Sequence, residues 1–269
     1  MKKWAIITGA SSGIGEEFAC QLYDMGYSIL LIAKTPEKLT SVKNKLLRRK
    51  RPAKDRQQAV EAVAADLSRG DGCDRAFRTI ESICAGRSDD KPAILINSAG
   101  FGALGEFKEL PIDEQEKMID VNVNGLVYLT HHMIQLMEKK GGGRILNVAS
   151  SAALLPGGPY MAVYYATKSF VYSFTNGVRR ELKERKSPVH LSVLCPGPVN
   201  TPFNTTAHVR NALPGISPRH CVRTAIAGMK KDRAVILPGL STGFVSLGAK
   251  LLPETLLISL TGHQQKRKI

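Results

Sequence analysis

Tyr164 and Lys168 stand four residues apart in Tyr-Tyr-Ala-Thr-Lys, and Ser151 lies thirteen residues before Tyr164. Four apart on a helix is one turn, so the phenol and the ammonium share a face. A phenol ordinarily ionises near pH 10 and is a poor proton shuttle at neutrality. A neighbouring cation favours the phenolate. Lowering that value to about 7 asks for roughly 4 kcal/mol. Lys168, one turn away and helped by a cationic cofactor ring, is expected to supply it. The Ser151 hydroxyl would then hold a substrate oxygen against the phenol. Such a set suits carbonyl reduction or alcohol oxidation. Taken alone it proves little, because Tyr160, Tyr164, Tyr165, Phe170, Tyr172 and Phe174 also describe an ordinary core helix.

These groups need a scaffold, and the N-terminus supplies its first unit. Lys3 to Thr8 reads as a short apolar strand, followed at once by Thr8-Gly9-Ala10-Ser11-Ser12-Gly13-Ile14-Gly15. An amphipathic segment from Glu16 to Met25 stops at Gly26, and a second apolar run, Tyr27 to Ala33, completes a βαβ unit. Glycines directly after a first strand let the backbone approach a pyrophosphate, which rests on the helix N-terminus. The spacing is Gly-x-x-x-Gly-x-Gly rather than the commoner Gly-x-Gly-x-x-Gly. Ala59 to Ala65, Ala93 to Asn97, Arg144 to Ala149, Val189 to Cys195 and Ala234 to Leu237 read as five further strands alternating with helices. The expected fold is α/β: a doubly wound, Rossmann-like parallel sheet of about seven strands with helices on both faces. Residues 1–238 would form this dinucleotide-binding and substrate-binding core, and 239–269 a C-terminal helical extension of the same domain.

In combination these residues closely resemble the short-chain dehydrogenase/reductase family. The motifs occur in order: Thr8 to Gly15, Asp66 after the third strand, Asn97-Ser98-Ala99-Gly100 after the fourth, Asn122, Ser151, Tyr164, Lys168, and Pro196-Gly197-Pro198-Val199-Asn200-Thr201. Ser98 stands where the family usually has alanine. The resemblance implies that Tyr164 exchanges a proton with the substrate oxygen and that Ser151 hydrogen-bonds the same atom. It further implies that Lys168 lowers the Tyr164 pKa and binds the nicotinamide ribose, and that Asn122 holds a water linking Lys168 to solvent. Gly9, Ser11, Ser12, Gly13, Ile14 and Gly15 would hold the cofactor phosphates. Asp66 and Leu67 would meet the adenine, Asn97, Ala99 and Gly100 the adenine-ribose side, and Pro196, Gly197, Val199 and Thr201 the nicotinamide amide. A homodimer or homotetramer is implied by the family alone.

The end of the second strand bears on which nicotinamide cofactor is used. An NAD enzyme usually carries a carboxylate there for the ribose 2′-hydroxyl. Here the strand ends Leu31-Ile32-Ala33-Lys34-Thr35. Lys34 would pair with a 2′-phosphate as a point charge, with hydroxyls of Ser11, Ser12 and Thr35 nearby, so NADP(H) is expected.

At 269 residues and 43% apolar, the chain is one ordinary globular domain with an ample core. Five cysteines form no Cys-x-x-Cys pair, the chain opens on its first strand, and six histidines lack metal-ligand spacing. A cytoplasmic protein without metal is therefore expected. The net charge of +15 would ordinarily raise nucleic acid as a partner. Much of it sits in Lys43, Lys45, Arg48, Arg49, Lys50, Arg51, Lys54 and Arg56, opposed locally by Asp55 alone. No aromatic residue is interleaved to stack on bases, so no nucleic acid is expected. The stretch reads as a solvated helix end and loop, with an anionic membrane surface as the sharper alternative.

Residues 239–260 are apolar but interrupted by Lys250, Pro253 and Glu254, and a basic Lys266-Arg267-Lys268 follows. Short helices that cover the substrate cleft or pack on another subunit are expected, with interfacial membrane binding as an alternative. Gly239-Leu240-Ser241-Thr242-Gly243 matches a hydrolase nucleophile elbow, but too little chain remains for that fold. A non-catalytic dinucleotide sensor on the same fold is the second rival. The intact Asn122, Ser151, Tyr164 and Lys168 set disfavours it. The apolar flanks, Ala152 to Met161 and Val199 to Pro218, favour an apolar ketone or secondary alcohol such as a hydroxysteroid or 3-oxoacyl chain.

Overall fold

The computed structural model describes residues 2–49, 58–85, 90–207, 209–211, 213–239, 243, 248 and 251–268. Strands β1 (Lys3–Thr8), β2 (Ser28–Ala33), β3 (Val60–Ala64), β4 (Lys91–Asn97), β5 (Gly143–Val148), β6 (Val189–Leu194) and β7 (Val235–Ile236) build one parallel sheet. Its order is β3-β2-β1-β4-β5-β6-β7. Every residue of β2, Ser-Ile-Leu-Leu-Ile-Ala, is buried, as a central strand covered on both faces requires.

Helices α1 (Gly13–Asp24), α2 (Pro36–Leu47) and α8 (Pro218–Lys230) cover one face, where Phe18, Leu39, Val42 and Val222 meet Ile7, Ile29 and Leu31. On the other face α3 (Gly70–Ala85), α5 (Leu126–Lys139) and α6 (Ala162–Glu184) bring Ile80, Leu129, Met133 and Leu182 onto Ile6, Leu30 and Leu95. Both apolar layers bury aliphatic side chains worth roughly 1.5–3 kcal/mol each when fully removed from water. A short α4 (Ile112–Ile119) runs into α5 through a π-helical turn, Asp120–Gly125. A 3₁₀ turn at Ser151–Leu154 and the short α7 (Phe203–Thr206) follow β5 and β6. The last helix is α9 (Glu254–Lys266).

The strand order reverses between β1 and β4, and at such a switch point the loops leaving the two strands part to opposite faces. Thr8 ends β1 and Asn97 ends β4, paired in register. The Thr8 hydroxyl accepts from the N–H groups of Ser98 and Ala99 at 3.1 and 3.0 Å, holding the exit of β4 beside the glycine turn. A crevice is thereby opened at the carboxyl ends of the strands.

The basic stretch is less isolated than its local sequence suggests. Lys43 meets Glu61 at 3.2 Å, Lys45 meets Glu16 at 2.6 Å, and Arg49 pairs with Asp24 through two nitrogens. These carboxylates are distant in sequence, so counting local charges missed them. Lys50, Arg51, Lys54 and Arg56 lie outside the described residues, as do Leu240, Ser241 and Thr242 of the hydrolase-like motif. No described helix is long and apolar enough to cross a membrane.

Candidate active site

The glycine turn is shaped by contacts that only hydrogen permits. Gly9 and Gly13 have φ of +63° and +58°, in the left-handed region that favours glycine. A Cβ on Gly15 would lie 2.2 Å from the Gly9 carbonyl oxygen, and one on Gly9 would lie 2.8 Å from Ala99 Cα. Ser12 precedes α1 without its side chain capping the helix, so the first N–H groups of α1 have no side-chain acceptor. Gly9, Ser11, Ser12, Gly13, Ile14 and Gly15 all line the crevice. A cradle this narrow, ending on free N–H groups, fits a pyrophosphate.

Beyond the turn, Lys34 and Asp66 meet each other at 2.9 Å, with Lys34 largely exposed. The Asp66 carboxylate also accepts from the Ser68 N–H and hydroxyl at 3.1 and 2.8 Å. Although burial opposes it, bonding to Lys34 and Ser68 holds this carboxyl below its usual range. Asp66 is thus held locally by Ser68 and across the strand ends by Lys34. Leu67 is buried in the apolar layer over α3.

Asn97 departs from expectation. Its side chain is buried and turned into the protein, donating to Thr130 Oγ1 at 3.0 Å and Asn147 Oδ1 at 2.9 Å. It ties β4 to β5 and α5 rather than lining the crevice. Ser98 and Gly100 line the crevice instead, and Ala99 packs against Gly9. A residue at the end of a strand points to one face or the other, and the motif alone did not reveal which.

Helix α6 carries Tyr164 and Lys168, both buried and both on the crevice wall. The Ser150 hydroxyl acts on the Tyr164 phenol in the lowering direction, and Ser150 and Ser151 both line the crevice beside it. Ser150 lies two residues after the end of β5, and its Oγ accepts from Ala152 N at 3.2 Å, starting the 3₁₀ turn. Ser151 still lines the crevice, with its N–H donating to Pro196 O.

Burial pushes the Tyr164 phenol up to about 12, against which the Ser150 hydrogen bond acts in the lowering direction. Burial likewise holds the Lys168 ammonium down to about 8. Lys168 Nζ donates to Val148 O at 3.0 Å and lies 5.8 Å from the centre of the Tyr164 ring. Desolvation of the phenolate is the largest influence on this phenol, with the Ser150 hydroxyl next. The phenol keeps its proton, which is the form a general acid needs.

Asn122 is fully buried in the π-helical turn. Its Nδ2 donates to Phe101 O and Thr167 Oγ1, both at 3.0 Å, while Oδ1 accepts from Phe101 N at 3.1 Å. Both amide hydrogens are used, so any water held by this side chain must donate to Oδ1. A Cβ on Gly100 would lie 2.7 Å from Asn122 Oδ1 and 3.2 Å from Lys168 Nζ, so glycine keeps that approach open.

The segment after β6 closes the opposite wall. Asn200 N donates to Ile216 O and Ile216 N to Pro198 O, both at 3.0 Å, which pins the loop. Pro196, Gly197, Val199 and Thr201 line the crevice, and Thr201 faces Gly13. Phe203 and Met161 lie near Gly102 beside the Tyr164 ring. The C-terminal segment was expected over the cleft, but none of its residues was singled out. Gln265 and Lys268 line the same crevice, and Gln265 Nε2 donates to the Tyr165 hydroxyl at 2.6 Å. One continuous crevice runs from the glycine turn past Tyr164 to α9.

A model of the short chain dehydrogenase family matches residues 3–211. The chain belongs to that family. The dehydrogenase is 30% identical over 204 residues to an uncharacterized oxidoreductase of Staphylococcus aureus (strain MRSA252), covering 76% of this chain and 81% of that one. It is 30% identical over 217 residues to mouse 17-beta-hydroxysteroid dehydrogenase type 3, covering 79% and 65% respectively. A solved short-chain dehydrogenase from Sphingobium yanoikuyae in complex with NADPH superimposes with a TM-score of 0.77 at 27% identity, covering 93% and 94% of the two chains. The seven-stranded parallel sheet agrees with that neighbour, and the dehydrogenase is an oxidoreductase.

Proposed function

We propose that the dehydrogenase transfers hydride between NADP(H) and the carbonyl or secondary alcohol of an apolar substrate, with Tyr164 as general acid and base. The observation that carries this reading is the continuity of one crevice from the α1 N-terminus to the buried Tyr164 phenol, with Ser150, Ser151 and Lys168 on the same wall. The nicotinamide ring, when bound, supplies or accepts the hydride. The chain's own residues do the rest. In reduction the Tyr164 hydroxyl gives its proton to the substrate oxygen as charge develops there. Ser150 donates a hydrogen bond that steadies the phenolate left behind. Lys168, close behind the ring, stabilises the same charge at the moment it appears. Asn122 holds Phe101 and Thr167 in place around this group.

The preference for NADP(H) rests on Lys34 and on the lack of a carboxylate at Ala33. Lys34 pairs with Asp66 and keeps an exposed ammonium near the end of β2, where a 2′-phosphate can compete for it. Loss of NADPH absorbance across steroids, acyl thioesters and simple ketones tests the activity. A wild-type protein that binds NADPH and reduces none of them would refute it and favour a dinucleotide sensor. Ala33→Asp should weaken NADP(H) far more than NAD(H), and equal effects would refute the cofactor assignment.

Gly102, Met161, Phe203 and Val209 give the substrate end its apolar character, as a hydroxysteroid or 3-oxoacyl chain requires. Leu251, Leu252, Leu256 and Leu260 expose apolar surface on and before α9, with Lys266 and Arg267 also exposed. This surface favours a second reading, in which the enzyme works on lipid ketones at an anionic membrane surface. Flotation with anionic liposomes decides it, and protein left in the soluble fraction ends the idea. Phe170 and Phe174 stack on α6 with Phe170 exposed, which supports self-association; sedimentation as a monomer would exclude it.

A further inference from the structure

Helix α9 reaches the substrate end of the crevice with polar groups. Its apolar positions hold it in place: Gly262 packs on Pro159, and Ile258 approaches Gly157. Its C-terminus is tied to the loop after α7, because Arg210 N donates to Lys268 O at 3.0 Å and Asn211 Nδ2 to Arg267 O at 3.2 Å. Lys268 N closes the last turn on Gln265 O at 2.9 Å, so the two side chains leave the helix one turn apart and both line the crevice.

Two features there are left unbalanced. Gln265 is 3% exposed, and its Oε1 is a buried atom with no hydrogen-bond partner, although Nε2 is engaged by Tyr165. Lys268 is half-buried, burial depresses its pKa, and no carboxylate among the described residues pairs with it. A buried polar atom left unpaired and a partly desolvated cation are both costly without a partner. The Tyr165 hydroxyl can donate or accept. The Gln265 amide can therefore turn over without losing that bond, which would leave an Nε2–H donor rather than Oε1 as its unpaired group.

We propose that Lys268 and Gln265 form a subsite for a carboxylate at the far end of the substrate, so that the enzyme acts on oxo acids or hydroxy acids. The proposal rests on the carbonyl-reducing role argued for Tyr164 and narrows its substrate class. The reacting carbonyl sits at Tyr164 and Ser150, an apolar segment crosses Met161, Phe203 and Leu213, and the carboxylate meets the α9 side chains. Lys268 contributes charge, and Gln265 contributes one directed hydrogen bond. Tyr165, adjacent in sequence to Tyr164, connects the two ends of the site.

The test pairs a series of aliphatic oxo acids with their methyl esters. Binding to the NADPH-loaded full chain is measured by calorimetry, and turnover by NADPH absorbance. The acid should bind about tenfold tighter than its ester, as a charge-assisted hydrogen bond predicts. Lys268→Met should collapse that ratio towards one, Lys268→Arg should keep most of it, and Lys268→Glu should invert it. Rising salt should shrink the preference in the wild type. If the acid binds no tighter than the ester, or if Lys268→Met weakens both alike, the subsite is refuted. Tight, Lys268-dependent acid binding without any turnover would leave the subsite standing and refute the catalytic reading.

Discussion

The Gln265 side chain donates to the Tyr165 hydroxyl at 2.6 Å across 100 residues of sequence. This bond fastens the last helix to the residue beside Tyr164, so α9 and the Tyr164 turn of α6 share one anchor. Gln265→Leu should remove it and leave the buried Tyr165 hydroxyl unpaired, at a cost of about 1–3 kcal/mol. Hydrogen exchange should show α9 opening before the sheet, with KM rising more than kcat falls. Unchanged protection of α9 would show that its apolar contacts alone hold it.

Ser150 and Ser151 make opposite predictions for the same conservative change. Ser150→Ala removes the phenol's hydrogen bond, and kcat should fall on the order of 10²-fold, as losing one such donor typically costs. It also removes the cap on Ala152, costing about 1 kcal/mol of stability. NADPH affinity should persist, which separates the catalytic loss from unfolding. Ser151→Ala should change kcat by less than about threefold, since its side chain has no such partner. A reversed order of effects would restore Ser151 to the catalytic position.

Gly15→Ala places a methyl group 2.2 Å from a backbone oxygen that cannot swing aside. The turn must open, with a stability loss of about 1–3 kcal/mol and NADPH binding weakened at least about tenfold. Gly177→Ala is the matched control, because nothing lies within 4 Å of its Cβ on the exposed side of α6. That change should stabilise the protein by about 0.5–1 kcal/mol. Calorimetric Tm values with and without NADPH would check both.

Lys168 makes stability depend on pH with a defined sign. Its ordinary pKa of 10.5 falls to about 8 in the folded protein. Below about pH 8 the group is charged in both states and the full burial penalty applies. Between there and 10.5 the unfolded chain holds more protons, so stability rises with pH. Tyr164 acts in the other direction, because its folded pKa of about 12 exceeds the ordinary 10.0 and its contribution is lost above pH 10. Urea unfolding between pH 8 and 10 should show wild type gaining on Lys168→Met by on the order of 2 kcal/mol. Parallel pH curves for the two proteins would mean that Lys168 is not depressed.

What the sequence determined by itself was the local and periodic part of this protein. The βαβ opening, the seven strands and the Tyr164–Lys168 pair were legible because strand and helix periods act over a few neighbouring residues. Gly9, Gly13 and Gly15 were legible because their spacing lies within one turn. Tertiary structure alone decided which partner each side chain meets. It brought Ser150 and Ser151 to the crevice wall beside Tyr164 across an intervening loop. It turned Asn97 into the sheet, paired Lys34 with Asp66 and Arg49 with Asp24, and laid Gln265 on Tyr165. It also decided how deeply Tyr164 and Lys168 are buried, because burial depends on the packing around both groups.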